Sequence, residues 1–139
     1  MALDISVTNT PDNETVDIIN DHLTAFNEAE LGAMDRILLT VVVRDEGGAV
    51  QAGINGQTAW GWLYVQRLWV SETLRGQGVA RRMLAAAEEE ARRRGCHSAY
   101  IDTINPVALK TYQRHGFIEY GRIEKFVAGR DRIFLQKKL

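Results

Sequence analysis

Apolar and polar residues alternate along the chain with two different periods, and these periods separate strands from helices. A period of two predicts a short strand at 3–8, and apolar residues three or four positions apart predict one or two helices within 11–30. The segment 36–44, RILLTVVVR, is continuously apolar and β-branched, which is typical of a strand buried on both faces. The turn signal DEGG at 45–48 then predicts a hairpin between this strand and the next.

The rest of the chain continues this alternation without a linker or an internal repeat. Further strands are predicted at 50–58, 61–70, 97–103, 116–126 and 131–139, and further helices at 77–94 and 105–115. The resulting order is strand, helix, three strands, helix, strand, helix and two strands, which predicts an α/β fold with a mixed sheet and helices on its faces. We therefore expect one domain that spans residues 1–139.

Composition and charge exclude several classes of function. The chain has 139 residues, 45% of them hydrophobic and 25% charged, and a formal net charge of −1, as expected of a soluble globular domain. Because there is no broad basic surface, we expect no binding to nucleic acid or to an anionic membrane. Cys96 is the single cysteine, so neither a disulfide nor a zinc site is predicted. The chain has neither a signal-peptide pattern nor an apolar run of about 20 residues, which predicts a cytoplasmic protein.

The helix at 77–94 has the clearest division into two faces. Its apolar face is formed by Met83, Leu84, Ala87 and Ala91. Its other face carries three Glu–Arg pairs, four residues apart in the favourable order: Glu88/Arg92, Glu89/Arg93 and Glu90/Arg94. Such a charge run is typical of a solvated face, and Gly95 is placed to end the helix.

The start of the same helix predicts an anion-binding loop. Arg75, Arg81 and Arg82 lie where the helix dipole is positive, a position that is unfavourable for cations on their own. Gly76 and Gly78 give the loop conformational freedom and let a ligand approach the unpaired backbone N–H groups of the helix start. A polyanion would satisfy both the N–H groups and the arginines, since each would gain a charge-assisted hydrogen bond.

Two familiar phosphate loops do not fit this stretch, but a third signature does. The chain has no Gly-Lys pair for a P-loop, and the dinucleotide fingerprint GxGxxG would need a glycine at Arg81. The hexapeptide Arg75-Gly76-Gln77-Gly78-Val79-Ala80 instead resembles the pyrophosphate-binding signature of the GNAT N-acetyltransferase superfamily. Downstream, Asn105, Ala108, Tyr112, Gly116 and Phe117 have the spacing of the second half of that family's cofactor site. The resemblance covers nearly the whole chain and is strongest over 61–117.

The resemblance implies a fold and a cosubstrate. The fold would be a GNAT-like acyl-CoA N-acyltransferase, with a mostly antiparallel sheet of six to seven strands, about four helices and a splayed, V-shaped cleft. The cosubstrate would be acetyl-CoA, whose pyrophosphate would be cradled by the backbone N–H groups of Gly76, Gln77, Gly78, Val79 and Ala80. Arg75 and Arg81 would add charge. The strand edge at Leu68, Trp69 and Val70 would hydrogen-bond the amide arm as an added strand does, and Asn105 and Tyr112 would also contact the cosubstrate.

The resemblance also implies a chemistry, namely the transfer of an acetyl group to a primary amine by direct attack in a ternary complex. Tyr112 would act as the general acid toward the departing thiolate. The alternative is that Tyr112 has only a structural role, in which its aromatic ring packs against Phe117. Many relatives carry a carboxylate where this chain has Gln66, so the general base stays open between Glu72, Asp102 and a chain of water molecules. The enzyme would use no metal. The alternative function is a non-catalytic acyl-CoA-binding sensor or regulatory module.

The acceptor and the remaining polar or aromatic residues are less defined by the sequence. A small molecule, a peptide N-terminus and a lysine side chain all remain open as the amine, and a homodimer through the C-terminal strands is common for such folds. His22, His97 and His115 are interpreted as caps or surface residues, and Cys96 as a packing residue. Trp60, Trp62, Trp69 and Tyr64 indicate either core and subunit contacts or a wall of the acceptor pocket.

Overall fold

The computed structural model describes residues 1–139 and contains three α-helices, six strands and one 3-10 turn. The chain forms two compact units, Met1–Met34 and Asp35–Leu139. The helices are α1 (Asn13–Leu31), α2 (Val79–Arg93) and α3 (Pro106–Arg114). The strands are β1 (Ile37–Arg44), β2 (Val50–Ala59), β3 (Trp62–Val70), β4 (Ser98–Thr103), β5 (Ile118–Val127) and β6 (Arg130–Lys138).

The first unit contains one helix, α1, and no strand. The helix begins after Asp12, whose carboxylate accepts a hydrogen bond of 2.7 Å from the backbone N–H of Thr15. The strand predicted at 3–8 is wrong, because Leu3, Ile5 and Val7 are exposed and the segment pairs with no strand of the chain. Alternating residues define which side chains share a face, but a strand forms only where a neighbouring strand accepts its backbone hydrogen bonds.

The second unit contains a six-stranded sheet in the order β1-β2-β3-β4-β6-β5. The one parallel pairing joins β3 to β4, and the other four pairings are antiparallel, which confirms the mixed, mostly antiparallel sheet. The strand count matches the lower number that was expected, and three α-helices are present where about four were expected. None of the helices combines the length and apolar character needed to span a membrane.

The core of this unit lies on the face of the sheet that α2 and α3 cover. Its largest fully buried side chains are Ile54, Leu63, Val65, Met83, Leu84 and Leu135. Each buried side chain of this size stabilises the fold by about 1.5–3 kcal/mol. The strand β1 is buried on one face and not on both, since Leu39 is buried whereas Leu38 and Val42 are exposed. Its continuous apolar run therefore leaves an exposed apolar surface on the opposite face of the sheet.

The charged face of α2 is solvated except at Glu88, which is only 2% exposed. Its carboxylate lies 2.6 Å from Nε2 of His115, at the end of α3, and 2.7 Å from Nζ of Lys137, on β6. The interpretation of Glu88 as a solvated residue is therefore wrong. His115 is the C-cap of α3, in agreement with its interpretation as a cap, and its side chain also pairs with Glu88. Because Lys137 also donates 2.8 Å to the His115 carbonyl, this buried cluster fixes the end of α3 against α2 and the sheet.

Candidate active site

The strands β3 and β4 separate halfway along their length and leave a cleft. They are paired from Trp62 to Val65 on β3, opposite Ser98 to Ile101 on β4, and no further. Beyond that point, Leu68–Val70 pairs with β2 alone, and no strand pairs with its β4 side. This confirms the splayed, V-shaped cleft that the resemblance implied.

A β-bulge in β3 is the local cause of the separation. Val65 lies opposite Gly56 and Arg67 lies opposite Asn55, so Gln66 is an extra residue with no partner on β2. Gly56 permits this arrangement, because a Cβ atom at that position would lie 2.1 Å from the backbone oxygen of Tyr64. The exposed Gln66 therefore stands at the point where β3 turns away from β4.

The loop after β3 is open on the side of its glycines. It consists of a 3-10 turn, Glu72–Leu74, followed by Arg75 and the glycine pair. Gly76 and Gly78 have φ angles of 76° and 75°, a left-handed conformation that strongly favours glycine. A Cβ atom at either position would meet no atom within 4 Å. Backbone conformation rather than internal packing thus requires these glycines, and the space beside them is accessible to a ligand.

The start of α2 has the features of an anion-binding site. No side chain caps the helix, its first turn has no acidic residue, and the backbone N–H groups from Gly76 to Arg81 make no hydrogen bond within the chain. Arg75 donates through Nε to the Val70 carbonyl at 3.2 Å, which holds this guanidinium beside the end of β3. Arg81 and Arg82 are exposed and form no ion pair. Free donors and positive charge therefore converge here, as a pyrophosphate requires.

The start of α3 is arranged differently, because Asn105 caps it. The side-chain oxygen of Asn105 accepts hydrogen bonds from Val107 N–H at 2.8 Å and Ala108 N–H at 3.3 Å, and Pro106 occupies the first helical position. This oxygen is therefore engaged in the helix cap. The contact of Asn105 with the cosubstrate stays a prediction, for which its amide NH₂ group is available.

Tyr112 on α3 combines a buried ring with an unpaired hydroxyl group. The residue is 5% exposed, and its ring lies edge-on to Phe117 with centroids 6.2 Å apart. No buried side-chain oxygen or nitrogen of the chain lacks a partner, and the Tyr112 hydroxyl makes no hydrogen bond, so this hydroxyl reaches solvent. Burial raises the pKa of Tyr112 to about 12, and the negative charge of Asp102 adds to the shift. The phenol is consequently protonated at neutral pH.

The two candidate bases differ in how firmly they are held. Asp102, near the end of β4, accepts a hydrogen bond of 3.0 Å from Nε of Arg132 on β6, and Nη2 of the same guanidinium lies 3.0 Å from the same carboxylate oxygen. Glu72 is exposed in the 3-10 turn and forms no ion pair. Sequence reasoning missed Arg132, because its position beside Asp102 depends on the register between β4 and β6, where Asp102 lies opposite Phe134.

Aromatic side chains gather on the sheet face opposite α2 and α3. The rings of Tyr64 and Tyr100 stack with centroids 4.5 Å apart and planes 5° apart, and Trp62 lies edge-on to Tyr100 and to His97. Trp60 and Trp69 are exposed. No group of three or more His, Cys, Asp or Glu residues is placed to hold a metal ion.

Comparison with known proteins gives consistent matches over this fold. The model of the acetyltransferase (GNAT) family matches residues 10–117. The chain is 47% identical over 127 residues to acetyltransferase Atu2258 of Agrobacterium fabrum, with 91% of this chain and 93% of the relative covered. It is 35% identical to blasticidin-S acetyltransferase of Streptomyces morookaense, with 68% of this chain and 70% of the relative covered. A crystal structure of a candidate acetyltransferase from Agrobacterium tumefaciens superposes with a TM-score of 0.93 at 44% identity, covering 99% of this chain and all of that one.

Proposed function

The chain belongs to the GNAT acetyltransferase family, and we propose that it transfers an acetyl group from acetyl-CoA to a primary amine by direct attack in a ternary complex. The observation that carries this proposal is the continuity of the cleft with the uncapped start of α2. The free edge of Leu68–Val70 leads directly through the 3-10 turn into the loop with six unpaired N–H groups. An extended ligand with a pyrophosphate at one end and amide groups along its length is complementary to this surface.

In this proposal, the chain binds acetyl-CoA through two kinds of contact. The N–H groups of Gly76 to Ala80 and the positive end of α2 would hold the pyrophosphate, with charge from Arg75 and Arg81. The backbone groups along Leu68, Trp69 and Val70 that β2 leaves unpaired, other than the Val70 carbonyl, would pair with the amide arm in the manner of an added β-strand. Acetyl-CoA would supply the acetyl thioester, and these contacts would orient it within the cleft.

The chain would then assist the chemistry at two atoms. As the amine nitrogen bonds to the acetyl carbon, negative charge develops on the carbonyl oxygen, and a free N–H group of Leu68–Val70 would donate a hydrogen bond to it. When the carbon–sulfur bond breaks, the Tyr112 hydroxyl would donate to the departing sulfur. The amine gives up one proton and the thiolate finally takes one, so the protons balance overall.

The pKa of Tyr112 defines how it would act on the sulfur. A phenol with a pKa of about 12 is a weaker acid than an alkyl thiol with a pKa of about 8.5. Complete proton transfer from Tyr112 to the thiolate would therefore be unfavourable by roughly 5 kcal/mol. We propose that Tyr112 stabilises the thiolate by a hydrogen bond, and that the final proton comes from solvent or from the protonated nitrogen of the tetrahedral intermediate.

The base would be a solvent-exposed group or water. Asp102 would have to give up its hydrogen bond and ion pair with Arg132 to accept a proton freely, whereas Glu72 has no such constraint. Since blasticidin-S acetyltransferase is among the relatives, we propose a small-molecule amine as the acceptor, with a peptide amine as the second class to test. We further propose that the enzyme acts in the cytoplasm.

Release of free thiol tests this function. The purified protein would be incubated with acetyl-CoA and a panel of small-molecule and peptide primary amines, and we expect thiol release that depends on one class of amine. Gln66, at the bulge, keeps a non-catalytic acyl-CoA-binding module as the second candidate. That candidate predicts calorimetric binding of acetyl-CoA without thiol release for any amine. Absence of binding would contradict both.

A further inference from the structure

A buried carboxylate lies where α2, the end of α3 and β6 meet, and the proposed chemistry does not use it. Glu88 of α2 is 2% exposed, whereas the side chain of its neighbour Glu89 is 70% exposed. Oε1 of Glu88 lies 2.7 Å from Nζ of Lys137, and Oε2 lies 2.6 Å from Nε2 of His115. Both oxygens of this carboxylate are thus occupied by groups from other elements. We call these three side chains the buried cluster.

Stability alone does not explain why the buried cluster is charged. A carboxylate and an ammonium group lose their hydration when they are buried, and their attraction often does no more than offset that loss. Apolar side chains of similar volume would fill the space between α2, α3 and β6 about as well. What an ion pair with three short polar contacts adds is a defined geometry, because each contact has a preferred length and direction.

The geometry that the buried cluster defines is that of the end of α3. Lys137 donates 2.8 Å to the His115 carbonyl, at the end of the helix where carbonyl groups have no intrahelical partner. The His115 N–H donates to the Tyr112 carbonyl at 3.1 Å, and the Phe117 N–H donates to the same carbonyl at 3.0 Å. The backbone of Tyr112 is therefore held by a residue of the cluster and by Phe117.

The ring of Phe117 extends this connection to the Tyr112 side chain. Nζ of Lys137 lies 5.5 Å from the centroid of the Phe117 ring, within the range of a cation–π interaction, and the His115 ring lies 6.4 Å from it. The Tyr112 ring meets the Phe117 ring edge-on at 6.2 Å. Because Phe117 is only 2% exposed, close packing restricts its movement. Contacting groups thus lead without a break from Glu88 on α2 to Tyr112 on α3.

We propose that Glu88, Lys137 and His115 are positioning residues, which set the place of the Tyr112 hydroxyl in the cleft. They act through Phe117 and the end of α3, and they contact neither acetyl-CoA nor the amine. Because Glu88 belongs to the helix whose start would bind the pyrophosphate, the cluster also fixes the phenol relative to the bound cosubstrate. The effect on rate rests on the proposed acetyl transfer, whereas the fixed position of the ring does not depend on that activity.

Exchange of the ion pair for apolar residues separates position from stability. Glu88→Leu combined with Lys137→Met keeps the volume and removes both charges, so Tm should stay native or rise. We expect kcat to fall by about 10-fold at an unchanged dissociation constant for acetyl-CoA, since a displacement of about 1 Å can cost about 100-fold. Glu89→Leu combined with Lys138→Met makes the same changes at exposed neighbours and should be native in every measurement. A native kcat in the apolar exchange would overturn the proposal.

The same exchange in a Tyr112→Phe background shows whether the loss of rate passes through the hydroxyl. If the buried cluster acts by positioning this group, the exchange should cause no further fall in kcat once the hydroxyl is absent. An equal fall in both backgrounds would identify a general structural effect, and the proposal would be wrong.

His115 provides a second pair of variants for the case in which the apolar exchange fails to fold. His115→Gln keeps an N–H donor near the position of Nε2 and should retain most of the native kcat. His115→Ala removes the donor and should lose about as much as we expect of the apolar exchange. Equal kcat values for these two variants would also overturn the proposal.

The nuclear magnetic resonance signals of the tyrosine rings report on Tyr112 without an assay of activity. The chain has four tyrosines, so the signal that is missing from Tyr112→Phe identifies this ring. In the apolar exchange and in His115→Ala, we expect weaker Overhauser contacts between Tyr112 and Phe117, and unchanged signals from the other three tyrosines. Native contacts between these two rings would overturn the positioning. If the native chain released no thiol with any amine, the acetyl transfer would be contradicted instead, and the spectrum would still decide the position of the ring.

Discussion

The starts of α2 and α3 lie at the two sides of the same cleft and are built in opposite ways. The first turn of α3 has a side-chain cap from Asn105, which accepts from two backbone N–H groups, and a proline that has no N–H to satisfy. The first turn of α2 has no cap, no acidic residue and two arginines. A third helix, α1, is capped by Asp12. The one helix start left without a cap is thus the one that carries the family's pyrophosphate signature.

This difference separates two tasks between neighbouring helices. An uncapped helix start leaves its N–H donors and its positive dipole available, so α2 is suited to bind an anion. A capped start stabilises its own helix and holds the side chains that follow in fixed positions, so α3 is suited to present Tyr112. We therefore expect substitutions at the start of α2 to change binding, and substitutions on α3 to change turnover or stability.

The largest effect is expected from Gly78→Glu, which would give α2 an acidic group at its start. The new carboxylate would enter the space beside the loop and repel a pyrophosphate. We expect the dissociation constant for acetyl-CoA, measured by calorimetry, to rise by about 100-fold or more, which corresponds to about 2.7 kcal/mol.

Gly129→Glu is the matched control for this change. Gly129 has a φ of 74° and no atom within 4 Å of a Cβ position, so it shares the left-handed φ and the open surroundings of Gly78, and the added charge is the same. This variant should bind acetyl-CoA as the native chain does. If both variants lost affinity equally, the effect would be one of strain, and the assignment of the loop would be contradicted.

A smaller effect, on turnover alone, is expected from Tyr112→Phe. The change removes an unpaired hydroxyl and keeps the ring that packs on Phe117, so folding and acetyl-CoA affinity should stay close to native. We expect kcat to fall by about 100-fold, which is the lower limit for a single acid–base group. Because the pKa of this phenol is about 12, the native rate should show no decline from Tyr112 ionisation below pH 10. An equal loss of affinity and kcat would instead identify Tyr112 as a binding contact.

The smallest effect is expected from Asn105→Ala, which would make α3 resemble α2. Loss of the cap should reduce the free energy of unfolding by about 1 kcal/mol, which for a chain of this length lowers Tm by about 3 °C in a thermal melt. Asn105→Ser keeps a capping oxygen and should restore most of that loss. A variant with normal Tm and weak acetyl-CoA binding would show that Asn105 serves the ligand more than the helix.

The elements of the second unit were predictable because each has a strong local signal. The helix predicted at 77–94 is observed at Val79–Arg93, and the strand predicted at 61–70 at Trp62–Val70. Hydrophobic periodicity and glycine boundaries are properties of a few neighbouring residues, so they can be recognised from the sequence alone. The same holds for the loop motif, whose six residues are consecutive.

Features that depend on distant residues were not predictable in this way. Glu88 can be buried because His115 and Lys137, which lie on other elements, pair with it. Asp102 forms an ion pair with Arg132 on a neighbouring strand. Asn105 fits a cofactor motif and a helix cap equally well in sequence, and only its hydrogen bonds identify the cap. The strand predicted at 3–8 had the right alternation but no partner in its own chain.

The close approach of Gly56 to the Tyr64 carbonyl has a consequence for attempts to change the acceptor. Gly56 lies on β2 and lines no part of the gap between β3 and β4, yet it permits the bulge from which that gap opens. A mutant library restricted to residues that line the cleft would leave it untouched and preserve the shape. A broader library would lose that shape through a position that no map of ligand contacts would mark for protection.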